Sequence, residues 1–209
     1  MFYIRADGNP QIGAGHIMRC ISIAETLKDR GKVIIFLTAD EESASLIASR
    51  GFATLTLHTK WDQMEDELAT LLPILEEKKV RNIIIDSYQV TPAYMDAVRK
   101  HANIIYLDDM GLEAYPVDVL INYNIYAKEI PYEELYHSKN LPLPRLMLGG
   151  EFVPLRSEFS TLEGKVRRIV RDVLITTGGG DLYNSAGAIL NAVEANIAAF
   201  MGIRFHVVS

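Results

Sequence analysis

Residues 2–37, FYIRADGNPQIGAGHIMRCISIAETLKDRGKVIIFL, carry the pattern that decides the fold class. Phe2 to Arg5 is a short strand. A glycine-rich stretch follows, then a helix from about His16 to Asp29 that ends at Gly31. Its apolar positions Ile17, Cys20, Ile21, Ala24 and Leu27 recur at the three- and four-residue spacing of one buried helix face. Val33 to Leu37 is an unbroken apolar run, as expected of a strand covered on both faces of its sheet. A strand, a glycine turn, a helix and a second strand form one right-handed crossover unit of a parallel sheet.

The alternation continues outward from this unit. The sequence predicts helices over Glu41–Arg50, Trp61–Lys78 and Pro92–His101, the second with Pro73 as a place to kink. Strands are predicted over Ala53–Leu57, Asn82–Ile85, Ile104–Leu107 and Val119–Ile121, the last closing this half of the chain. The fold class is α/β, a doubly wound and mainly parallel sheet. Ligands of such sheets bind beyond the carboxyl ends of the strands. That rule selects Ala6–His16, Asp86–Tyr88, Asp108–Met110 and Asn122–Tyr126.

A second unit begins late. SKNLPLPR (138–145) reads as a loop, and 156–172 is charged and contains Gly164. Val173–Thr176 is then a strand, Gly178–Gly180 a turn, Ala186–Phe200 a helix and Arg204–Val208 a strand. A single strand–helix–strand unit is too small to bury its own core. Either this tail adds to the first sheet or the sequence is a truncated fragment of a two-domain protein. The second is favoured, because an apolar terminal strand needs a neighbour. The expected division is an N-terminal domain over 1–155, followed by a linker and the start of an incomplete second domain over 156–209.

Composition removes several classes of function. Lys and Arg number 21 against 27 Asp and Glu, a formal charge of −6, which argues against a nucleic-acid partner. The single cysteine, Cys20, excludes a disulfide framework or a multi-cysteine metal site and fits a reducing, cytoplasmic setting. No apolar run approaches a membrane span, and the opening residues do not form a secretory signal. No histidine pair has helical metal-ligand spacing, so no metal is expected.

The strongest local signal is Arg5-Ala6-Asp7-Gly8 followed by Gly13-Ala14-Gly15-His16. Gly13 and Gly15 stand at the mouth of the first helix, where glycine permits positive φ and close approach of a ligand. The helix end favours an anion there. Met18 occupies the place of the third glycine of a dinucleotide fingerprint, so that motif is absent. The positive helix end disfavours imidazolium, which suits His16 to a general base; Arg19 lies one turn on, on the same side. The alternative is a tight turn that His16 merely caps.

Tyr88 either presents its hydroxyl to the crevice or packs under a loop. Asp108 and Asp109 are more readily a loop hydrogen-bonder or an arginine's partner than a metal site. Asn122 and Asn124 either contact a sugar or brace a loop. Gly178-Gly179-Gly180-Asp181 can cradle a phosphate but lacks the Lys-Ser/Thr ending of a nucleotide triphosphate loop.

The opening IRADGNPQIGAGHIMRC resembles that of the UDP-sugar hydrolases of pseudaminic acid biosynthesis and their relatives in spore coat polysaccharide synthesis. IIIDSY, YLDD, VLINYNIYAKE, LMLGGEFVPLRSEF and VLITTGGGD are similar to further blocks of that family in the same order, so the resemblance runs from Phe2 to about Asn184. It implies a glycosyltransferase-B (GT-B) architecture similar to the MurG transferase, two Rossmann-like domains with the active site between them. It also implies hydrolysis of UDP-2,4-diacetamido-2,4,6-trideoxy-β-L-altropyranose, water displacing UDP at the anomeric carbon without metal or cofactor.

By this resemblance His16 is the base that activates water, Tyr88 lies beside the sugar, and the Gly13–Gly15 loop faces the diphosphate. Asp7, Arg19, Asn122 and Gly179 complete the expected substrate contacts. Most uridine contacts fall in the C-terminal domain of that architecture, and Ser209 precedes its usual nucleotide-binding segment. The 209 residues alone are therefore expected to be inactive, with the missing domain as their partner. The motifs do not separate the altropyranose hydrolase from its spore-coat relatives. The rival readings are a GT-B glycosyltransferase in which His16 activates an acceptor hydroxyl, and a non-catalytic sugar-nucleotide-binding module.

Overall fold

The computed structural model describes residues 1–159, 161, 164, 166–178 and 181–208. In chain order the elements run β1 (Phe2–Ala6), α1 (Gly15–Asp29), β2 (Ile34–Thr38), α2 (Glu41–Ala48), β3 (Ala53–Thr56), α3 (Met64–Glu77), β4 (Asn82–Asp86) and α4 (Pro92–Arg99). They continue with β5 (Asn103–Leu107), β6 (Val119–Asn122), α5 (Tyr132–Ser138) and β7 (Arg145–Leu148). Then follow β8 (Asp172–Thr176), α6 (Ser185–Ala195) and β9 (Arg204–Val208).

Strands β1 to β7 form one seven-stranded sheet in the order β3-β2-β1-β4-β5-β6-β7. Every neighbouring pair is parallel. The predicted doubly wound Rossmann-like class is the one observed. Within β4, Ile83 and Ile85 join the apolar layer built with Leu71, Leu75, Tyr94 and Val98 of α3 and α4, whereas Ile84 joins the layer of Ile17, Ile21 and Ile47 from α1 and α2. That two-sided burial explains why the strand reads as an unbroken apolar run. The chain order reverses between β1 and β4, which places the topological switch point, and its crevice, at Ala6 and Asp86, paired residues at the carboxyl ends of those strands.

Three sequence expectations need correction. Val119–Asn122 does not close the sheet: β7 pairs beyond it, after α5. Helix α3 starts at Met64, because Glu65, Asp66 and Glu67 form its first turn, where carboxylates suit the positive helix end. Trp61 therefore belongs to the preceding loop, and the helix continues past Pro73. Gly15 is the first residue of α1 and does not adopt positive φ; Gly13 does, at 72°.

β8 and β9 pair with each other in a separate two-stranded parallel sheet. From residue 156 onward only Ile175 and Ala186 are buried apolar residues among those described, and Leu174 is 64% exposed. A pair with so little cover should open easily. Hydrogen exchange followed by mass spectrometry is expected to show amides of β8 and β9 exchanging far faster than those of β1, β4 and β5. Equal protection of the two sheets would contradict this. Among the described residues no helix is long and apolar enough to cross a membrane.

Candidate active site

The chain leaves β1 through Asp7 and Gly8 into a tight loop. Asn9 shapes it: its carbonyl accepts from the Gly13 N–H at 2.7 Å, and its Oδ1 accepts from the N–H groups of Gln11 and Ile12 at 3.0 and 3.1 Å. A Cβ on Gly8 would stand 2.8 Å from Ile17 Cδ1, so any larger residue there requires the Ile17 side chain to shift. A Cβ on Gly15 would meet nothing, which leaves open space beside the helix mouth. Ala14 supplies no side-chain cap and the first turn carries no acid, so the amino end of α1 keeps its positive potential.

His16 lies in that first turn, 8% exposed. Its Nδ1 is 2.7 Å from Asp86 Oδ1 at the end of β4, 70 residues away in sequence and next door across the switch point. Arg19 Nη2 stands 2.9 Å from the same ring nitrogen. In a neutral ring the Nδ1–H tautomer donates to the carboxylate, whereas the other tautomer would set two lone pairs against each other across the same gap. Arg19 Nη2, itself a donor, then gives its proton to Asp86 Oδ1 and not to the ring, and the free lone pair stands on Nε2. The arrangement matches the base-and-orienter pair of hydrolytic and transfer enzymes.

Arg19 fixes Asp86 in turn. Its Nε donates to Oδ2 at 2.5 Å and its Nη2 to Oδ1, while Nη1 donates to Asp109 at 2.5 Å and to the Tyr123 hydroxyl at 2.6 Å. Burial works against the Asp86 carboxylate, but the hydrogen bonds from Arg19 and then His16 outweigh it and hold its carboxyl below the ordinary 3.8. A depressed folded value means that the carboxylate stabilises the fold above the unfolded value, and that this contribution is lost as pH falls through the folded one. Asp86→Asn is therefore expected to flatten the decline of the urea midpoint on the acid side. An unchanged acid slope would show that other carboxylates govern it.

Tyr88 meets His16 edge to face, with ring centroids 4.6 Å apart, and its hydroxyl donates to Asp109 at 2.7 Å. Burial first, and the Asp109 hydrogen bond second, push its phenol up to about 12, so the hydroxyl stays protonated and donating at neutral pH. Cys20 is fully buried, and burial, then Asp86, raise its thiol pKa, in keeping with an inert core residue.

A small cleft unites Asp7, Ile12, His16, Trp61, Asp86 and Tyr88. The structure does not bring all the sequence-derived residues to it as free groups. Arg19 spends its guanidinium on Asp86, Asp109 and Tyr123, so as placed it positions carboxylates instead of offering itself to a substrate. Asp7 is 2% exposed and accepts from Arg5 and from the Ala39 N–H, so it secures β1. Asn122 is fully buried and braces its loop, accepting from Asn124 and donating to the Tyr132 hydroxyl at 2.9 Å.

Asp108 also serves the loop, accepting from the N–H groups of Met110 and Gly111 and from the Tyr132 hydroxyl, and Arg5 pairs with Glu67 and Asp7 rather than with it. Gly179 lies outside the described residues; beside it, Asp181 accepts from the N–H groups of Ser185 and Ala186. Among the described residues no cluster of three or more His, Cys, Asp or Glu side chains is disposed to hold a metal ion.

Sequence reasoning placed Asp86 in a crevice segment without giving it a role, and passed over Trp61. Asp86 has a usable signal, since it is the first polar residue after the apolar run of β4. Trp61 has none, because it reads as the opening of a helix.

No family model matches the chain. It is 26% identical over 181 residues to the UDP-2,4-diacetamido-2,4,6-trideoxy-β-L-altropyranose hydrolase of Campylobacter jejuni, a match that spans 86% of this chain and 61% of that enzyme. It is 22% identical over 216 aligned positions to an uncharacterised protein of Methanocaldococcus jannaschii, spanning 97% of this chain and 42% of that protein. The chain thus spans about three fifths of the first relative and two fifths of the second. Among solved structures it is similar to MurG of Acinetobacter baumannii, with a TM-score of 0.58 at 10% identity over 99% of this chain and 65% of that one. The likeness to MurG concerns the fold alone. The resemblance read from the motifs is met by the match to the Campylobacter hydrolase.

Proposed function

We propose that the protein hydrolyses a UDP-activated amino or deoxy sugar, with water displacing UDP at the anomeric carbon, in nonulosonic acid or spore coat polysaccharide biosynthesis. The observation that carries this reading is the His16–Asp86 pair, set at the uncapped mouth of α1 in the switch-point crevice. Similarity to a UDP-sugar hydrolase supports it.

In this reading a water molecule hydrogen-bonds to Nε2 of His16. As its oxygen attacks the anomeric carbon, its proton passes to Nε2, and the imidazolium is stabilised by the Asp86 carboxylate through Nδ1–H. The bond from the anomeric carbon to the diphosphate oxygen breaks, and UDP leaves with the electron pair. The positive end of α1 favours the charge gathering on the diphosphate. Arg19 is a positioning residue that holds Asp86. Tyr88 flanks His16 and borders the sugar.

Residues 1–155 form the catalytic unit in this reading, and 156–209 open a second domain that provides most of the uridine contacts. The setting is the cytoplasm. Calorimetry of UDP titrated into the 209 residues is expected to show weak binding or none, and micromolar affinity would place the nucleotide contacts within them. The hydrolase reading itself is tested by incubating the intact protein with a panel of UDP-sugars and identifying products by NMR. Release of UDP and free sugar with water as the sole acceptor supports it. Turnover only when an acceptor alcohol is added would make the protein a transferase, and tight binding without turnover a binding module.

A further inference from the structure

We infer that Trp61, with Ile12, forms an apolar wall of the His16 cleft that selects sugars bearing methyl groups, Trp61 being the specificity-determining residue; this rests on the sugar-nucleotide reading above. Trp61 is the chain's single tryptophan. It lines the cleft together with His16, Asp86 and Tyr88. The loop that carries it is fixed to β2 and the residue after it: the Leu57 N–H donates to the Thr38 carbonyl at 2.8 Å and the Thr59 N–H to the Ala39 carbonyl at 2.9 Å. Between them His58 turns the chain in the left-handed region, at φ 56°.

Nothing in the fold accounts for an indole at this point. The side chain is half-buried, belongs to neither apolar layer of the sheet, and makes no ring contact or hydrogen bond among the described residues. Tryptophan is normally placed where its body packs and its N–H finds a partner. Here both remain available, facing a cleft whose buried carboxylates, Asp7 and Asp86, are already engaged. Ligand sites commonly combine an apolar wall with a few directed polar groups. A methyl group seated on the indole face and Ile12 satisfies that surface, whereas a hydroxyl against the same face loses its water without gaining a partner, since the indole N–H points out from the ring edge. Two methyl groups have this chemistry in an N-acetylated deoxysugar, one at C6 and one on the acetamido group.

The test titrates four free sugars into the chain and reads Trp61 emission: glucose, 6-deoxyglucose, N-acetylglucosamine and its 6-deoxy counterpart. Saturable shifts are expected, with the doubly methyl-bearing sugar bound at least about tenfold more tightly than glucose, a difference within reach of a hydrophobic contact. The two single-methyl sugars show which methyl group meets the wall. Ligand-observed NMR on Trp61→Ala should find the preference abolished, and on Trp61→Phe largely kept. Four sugars that bind alike, no binding by any of them, or a preference that survives Trp61→Ala would overturn the assignment. Turnover of UDP-sugars by the intact protein decides the hydrolase reading separately. Methyl selection without hydrolysis would sink that reading and leave the wall, and hydrolysis indifferent to the methyl groups would do the reverse.

Discussion

Replacing His16 with asparagine in the intact protein is expected to lower UDP-sugar turnover by about 10²–10⁴-fold, the usual cost of losing a positioned general base. Asparagine keeps a polar side chain of similar reach but has no titratable nitrogen. Binding of the sugar nucleotide should change far less, because in the proposed arrangement its nucleotide contacts lie elsewhere. The acid limb of the pH–rate profile reports protonation of the base, so it should vanish from the residual activity. Asp86→Asn should fall in the same direction: an amide that donates to Nδ1 moves the ring proton to Nε2 and removes the lone pair that water needs. Tyr88→Phe is the control. It removes the hydroxyl bonded to Asp109 at 2.7 Å but no base, so the acid limb should persist. Near-normal turnover of His16→Asn with an unchanged profile would reduce the histidine to a loop residue.

The elements that the sequence announces are those buried on two faces. β2, β4 and β5 are runs of large apolar residues, and α1 repeats its apolar positions at helical spacing over four turns. The elements it hides are short and held by specific contacts. Helix α5 has only seven residues, four of them polar or charged besides its two tyrosines, and is anchored by Tyr132 and Tyr136, whose hydroxyls donate to Asp108 and to the Tyr115 carbonyl. β7 has four residues and follows a proline-containing loop.

The same division runs through the site. His16 is visible because a strand, a glycine loop and a helix mouth adjoin in sequence. Asp86 acquires its meaning only when β4 lies beside β1, a consequence of strand order that no local pattern carries. Asn122 and Asn124 have the polarity of a sugar contact, yet the loop consumes their hydrogen bonds, and composition does not distinguish the two uses.

A second large effect is expected in the buried ionic network that reaches the cleft through Asp7. Arg5 and Glu67 are fully buried, and Asp7 nearly so. Arg5 Nε and Nη2 donate to the Glu67 carboxylate at 2.9 and 2.6 Å, Nη1 donates to Asp7 at 2.5 Å, and the Tyr94 hydroxyl donates to Glu67 at 2.6 Å. Burial opposes the guanidinium charge, but Glu67 and then Asp7 outweigh it, so the arginine stays protonated. Glu67→Ala would strip Arg5 of its bidentate partner, leave the Tyr94 hydroxyl without an acceptor, and open a void under β1. Breaking a buried pair costs about 3–5 kcal/mol; Asp7 still holds Nη1 of Arg5, so the loss should fall at the lower end of that range and come from the stranded Nε and Nη2 donors. Urea denaturation should register a loss of that size. The triple substitution Arg5→Met, Glu67→Leu and Asp7→Asn should recover part of it, since it removes all three buried charges together. The Tyr94 hydroxyl would still lack its acceptor, so the triple variant should not regain the whole difference. A loss below about 1 kcal/mol for Glu67→Ala would mean that water reaches Arg5, a finding incompatible with a sealed ionic layer between β1 and α3.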